Sequence, residues 1–209
     1  MQALRALAET TAGPTGEGHT EGHGAQDHGG HDGRGATSMM KPSAQLEAEL
    51  ESAQRAAEAL MTEERLADVG YHVGSYWSPG VGTHYIDWRL VGKPFDPARP
   101  AMLLIDTTPG HRRRLAGFSY WVGGNRPPAG FSGDADEWHN HRGLCFIDAI
   151  LFAEGVPDPA SCEGLWIGGE DLWMLHAWVA PSYENLDGVF SPRNTKLCPA
   201  RSGFDAAWC

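Results

Sequence analysis

The chain contains no Cys-x-x-Cys pair, no Gly-x-Ser-x-Gly elbow, no phosphate-cradling glycine loop ending in Gly-Lys-Ser/Thr and no His-Glu-x-x-His segment. Zinc ribbons, thioredoxin-type redox sites, α/β-hydrolase triads, P-loop nucleotidases and zincin proteases are thereby set aside. Positive charge is also scarce. Sixteen Lys and Arg face 27 Asp and Glu, a net of −11 with histidine neutral, which is the wrong sign for a phosphate-binding surface, so no nucleic-acid partner is expected. The basic run Arg112, Arg113 and Arg114 follows Pro109, Gly110 and His111 and reads as a solvated turn. No stretch reaches the ~20 apolar residues that cross a bilayer, so no membrane span is expected, and the start lacks the basic-then-apolar order of a secretory signal. With 27 glycines and 14 prolines in 209 residues, long helices cannot dominate.

What is present divides into three parts. Residues 1–41 include nine glycines between Ala12 and Gly35, with His19, His23, His28 and His31 strung among them and almost nothing apolar. Such a segment cannot bury enough surface to offset its ordering entropy and is predicted to be a disordered tail whose histidines are able to wrap a metal ion loosely. Residues 42–69 place Leu46, Leu50, Ala53, Ala57 and Leu60 on one face of an amphipathic helix, with Ser43 as its N-cap and Gly70 as its stop. That narrow, alanine-rich face suits a helix laid against the outside of a sheet. Residues 70–209 alternate apolar and polar residues in short runs between Gly and Pro clusters, at 71–77, 83–91, 101–107, 115–122, 138–146 and 172–180, with a short helix at 148–155. The fold class expected is mainly β, a small antiparallel β-barrel or sandwich.

Four histidines carry the chemistry. His139 and His141, two apart in a strand, project from one face at a spacing from which two imidazoles converge on an ion. His84 shares a face with Ile86, Trp88 and Leu90, and His176 with Met174 and Trp178. Buried rings on apolar stripes need partners for each nitrogen, and one shared ion would supply them all; a cluster bonded to water and to acidic neighbours such as Glu137 or Asp87 is the competing account. Imidazole ligands suit Zn, Cu, Fe or Ni and disfavour Ca and Mg. His72 and His111 have no partner at ligand spacing. Among eight tryptophans, Trp88, Trp178 and Trp138 are the candidates for walls of a cavity that would hold a small organic ligand beside the ion.

The stretch from Gly133 through Trp138 to His139-Asn140-His141, with His176 downstream, resembles the first and second histidine motifs of the cupins. The resemblance implies one transition-metal ion in a small cupin-like or calycin-like β-barrel. Cys145 and Phe146 stand where the cupin glutamate would follow His141, and Ala180 stands where an asparagine would follow His176, so the fourth ligand falls to His84 or Glu137. The chain is also similar to a group of small extracytoplasmic proteins with Trp-His-x-His, Leu-Cys, Met-Leu-His-x-Trp and Gly-Val-Phe segments, here Trp138–His141, Leu144 with Cys145, Met174–Trp178 and Gly188–Phe190. That likeness implies export. An exported chain would form at least one disulfide among Cys145, Cys162, Cys198 and Cys209, with Cys145 and Cys162 favoured because both flank one connection. The functions in view are metal handling or metal-dependent chemistry, a metalloenzyme acting on a small organic substrate in a Trp-lined pocket, and a metal-free ligand- or carbohydrate-binding barrel.

Overall fold

The computed structural model describes residues 43–61, 66–108 and 112–198. The tail with its four histidines, His111 and Cys209 lie outside the described residues.

Helix α1, Ala44–Met61, starts where Ser43 Oγ accepts the Leu46 N–H at 3.1 Å. Ala53 and Ala57 are buried, and Leu46, Leu50 and Leu60 pack beside them. A 3₁₀ turn, Leu66–Val69, follows, and Gly70 at φ +106° redirects the chain. Eight strands come next: β1 (His72–Val73), β2 (Thr83–Ile86), β3 (Met102–Asp106), β4 (Arg114–Gly123), β5 (Leu144–Ile147), β6 (Ile150–Ala153), β7 (Leu165–Ile167) and β8 (Leu172–Ala177). All pairings are antiparallel, in a five-stranded sheet ordered β1-β2-β3-β4-β8 and a three-stranded sheet ordered β6-β5-β7.

Strand alternation sorts the large sheet into two faces. Tyr85, Leu103, Phe118, Tyr120, Leu175 and Ala177 join the cluster that includes the helix residues Ala53 and Ala57. The other face carries Ile86, Met102, Trp121 and Met174, which meet Leu144, Phe146 and Ile167 of the small sheet. Each large side chain fully buried in this way contributes about 1.5–3 kcal/mol. His84, Ser119 and His176 sit on that second face by alternation, so the small sheet and the histidines share one side of the large one. Among the described residues the two sheets remain separate and no closed barrel is formed; the molecule is mainly β, with two antiparallel sheets and one helix.

Three local expectations are corrected. The run 138–146 is a strand only from Leu144; before it the chain is irregular, touching β8 through one bridge, His139 to Met174, and Gly143 at φ +62° breaks the extension. Residues 148–155 are not a helix. Asp148 and Ala149, at φ +50° and +66°, form a two-residue hairpin turn that returns the chain as β6. The run 83–91 stops pairing at Ile86, where Asp87 starts a turn closed by the Leu90 N–H. Strand β7 has no counterpart in the sequence reading. Cys145 and Cys162 form a disulfide with Cα atoms 5.6 Å apart, and Cys198 is disulfide-bonded as well.

Candidate functional site

Strand β2 presents His84 and β8 presents His176. The irregular segment before β5 carries His139 and His141, placed by the paired hydrogen bonds between His139 and Met174. Gly169 lies so close that a Cβ there would collide with the His141 carbonyl, so glycine at φ +81° lets the segment settle onto the sheet. The four rings form a chain. Ring centres are 5.6 Å apart for His84 and His176, 5.5 Å for His139 and His176, and 5.0 Å for His139 and His141.

Each ring is tied at Nδ1. His176 Nδ1 lies 2.8 Å from the Pro192 carbonyl and His139 Nδ1 3.1 Å from the Glu137 carbonyl. A carbonyl only accepts, so Nδ1 bears the proton in both, and in the neutral ring Nε2 is a bare lone pair. Ser75 Oγ donates its one proton to the Tyr76 carbonyl and accepts the His84 backbone N–H, so the His84 Nδ1, at 3.4 Å, also faces it as a donor. His141 Nδ1 lies 2.6 Å from Glu154 Oε1. Nε2 of His84 and of His176 are buried with no hydrogen-bond partner among the described residues. Burial pushes the His84 imidazolium down to about 4, with His141 and His139 adding repulsion. Burial likewise holds His176 well below the ordinary histidine value, ahead of the effect of its imidazole neighbours, and lowers His139. These three rings are therefore neutral at pH 7, with lone pairs free to bind.

The rings line a cavity of about 530 Å³ together with apolar side chains, Ile86, Met102 and Trp121 from the same face of the large sheet and Phe146 and Leu151 from the small sheet. As they stand, no three His, Cys, Asp or Glu side chains among the described residues are gathered closely enough to hold one ion.

All four sequence-selected histidines are thus brought to one cavity. Glu137 joins through its backbone carbonyl while its side chain is exposed. Trp88, Trp178 and Trp138 do not line the cavity. Trp88 packs edge-on against Phe146 in the inter-sheet core, Trp178 stands 5.9 Å from His176 but donates its N–H to the Ser191 carbonyl, and Trp138 packs against Phe95. The indoles that do line it are Trp77 and Trp121. Sequence reasoning missed Glu154 and Ser75, both distant in sequence from the rings they hold; only the hairpin and the bend after β1 bring them near. Met174 lines the cavity from the buried core, and the disulfide removes Cys145 as a thiolate donor. No protein family model, curated protein or solved structure matches this chain.

Proposed function

We propose that the cavity is a mononuclear transition-metal site with His84, His139, His141 and His176 as ligands through Nε2, and Zn, Cu, Fe or Ni as the ion. The observation that carries this reading is the tethering of every ring at Nδ1 with Nε2 left over, twice buried and unpartnered. Ligating histidines use their other nitrogen in this way, toward a carbonyl, hydroxyl or carboxylate that fixes the tautomer. Spacing supports it too. Imidazoles bound at about 2.0–2.1 Å in tetrahedral directions set neighbouring ring centres about 5 Å apart, against 5.0, 5.5 and 5.6 Å here. The role would be metal handling or metal-dependent chemistry outside the cytoplasm, the compartment favoured by the disulfides at Cys145–Cys162 and Cys198.

Metal analysis of the full chain and of a chain beginning at residue 42 tests the site. About one ion per shortened chain is expected, with any surplus in the full chain due to the tail. A folded shortened chain that takes up no zinc, copper, iron or nickel would refute the reading. A second reading, a metal-free pocket for a small organic ligand, is favoured by the absence of three gathered ligand side chains among the described residues. It predicts that ligand binding survives treatment with a chelator.

A further inference from the structure

The apolar chamber in front of the histidines has features that a closed metal-storage site does not need. Its rim carries Tyr76, 71 % exposed, and Phe152, 68 % exposed, two of the three most exposed large apolar side chains among the described residues. Exposed aromatic rings cost solvation unless something covers them, and here both belong to the same cavity. Trp77, another lining residue, has an indole N–H with no acceptor. An enclosed donor left unmade is costly, and no acceptor among the described residues satisfies it. Apolar walls, aromatic rims and a few convergent polar groups define a small-molecule pocket.

We propose that this chamber binds a small aromatic molecule bearing one oxygen acceptor, a carboxylate or a phenolic oxygen. Its ring lies between Tyr76, Phe152 and the apolar wall, and its oxygen takes the Trp77 N–H. The oxygen's approach to an ion rests on the metal reading above; the ring contacts and the indole donor do not. Both oxygen types share the needed acceptor, and two probes separate them.

The test is ¹⁹F NMR titration of the full chain with 4-fluorobenzoate and, separately, 4-fluorophenol, in zinc and after chelation. Saturable binding of at least one probe is expected. Trp77→Phe, which keeps an aromatic ring and deletes the donor, should weaken it about five- to tenfold, the size of one hydrogen bond. Phe152→Ala, on the exposed rim where folding is little affected, should also weaken it severalfold. Binding that needs zinc and weakens in both variants supports both this proposal and the metal reading. Binding that is equal after chelation, yet sensitive to both substitutions, supports the pocket and overturns the ion's part in it. If neither probe binds under either condition, or if the two variants bind as the parent does, the proposal is overturned, whatever the metal analysis shows.

Discussion

Alanine in place of a tethered imidazole removes a donor nitrogen and leaves its Nδ1 partner without a hydrogen bond. His139→Ala, His141→Ala and His176→Ala are each expected to abolish one-to-one metal binding by the chain lacking residues 1–41, with far-ultraviolet dichroism still mostly β. His84→Ala is expected to do the same, because its Nε2 is as enclosed as that of His176. His72→Ala, at an exposed site on β1, should leave uptake unchanged. Glu154→Gln keeps the size of the His141 partner but removes its charge, and a loss of about 10–100-fold in metal affinity is expected by competition with a chelator. His84 and His176 were legible in the sequence because an ionisable ring on an apolar stripe is itself a signal; His139 and His141 were chosen on a strand spacing, although their segment is irregular. The tryptophan walls were not legible: alternation gives a residue's side of a strand, but not whether that side is core or cavity at that height. Asp136 supplies a separate test. Burial raises its carboxyl from 3.8 to about 6, despite hydrogen bonds from Trp138 and the Phe131 backbone. A carboxyl whose folded value is raised favours the fold below its unfolded value, and that contribution is lost as pH rises through about 6. Asp136→Asn should therefore gain stability relative to the parent above pH 6, by about 1 kcal/mol after discounting for solvent screening, and not at pH 4. Urea denaturation at the two pH values measures it, and an equal difference at both would contradict the assignment.

The start and the apolar face of helix α1 were readable, since its apolar spacing and serine cap are local signals; its end was not, for α1 stops at Met61 and not at Gly70, and neither was β6. Its turn is Asp148-Ala149 instead of the Asn-Gly that announces a two-residue hairpin. Alanine at φ +66° is costly, and Ala149→Gly should raise the unfolding free energy by about 1 kcal/mol in the same denaturation experiment. The segment 138–143 departs from expectation for a related reason: the two-residue spacing of His139 and His141 matches a strand, but the positive φ of Gly143 is invisible in such a spacing. Gly169 is the most informative position outside the ligands. Gly169→Ala must push against the His141 carbonyl, so metal affinity should fall although no donor is lost, and calorimetric titration with zinc would show it.

At the scale of the whole molecule, residues 84, 139, 141 and 176 reach the cavity from two strands of the large sheet and from the segment leading into the small one. Glu49 on the helix holds that segment's approach by accepting from the Ser132 N–H and hydroxyl at 2.7 and 2.9 Å. Mainly β character and an outer helix followed from composition and periodicity; the division into two sheets did not, because strand partners are chosen by packing across the chain and not by neighbours in sequence. Removing residues 1–41 is expected to leave a cooperatively unfolding domain, since from Ala12 to Gly35 that segment holds only Ala12 and Ala25 as apolar residues. Loss of a single melting transition in that shortened chain would contradict the division. The wide spread of the four rings along the chain has one more effect. An unfolded chain cannot present them together, so an ion bound there favours the native state alone and couples to folding by mass action. Free metal at about a thousand times its dissociation constant would add about 4 kcal/mol. The melting temperature of this protein would then report the metal concentration around it.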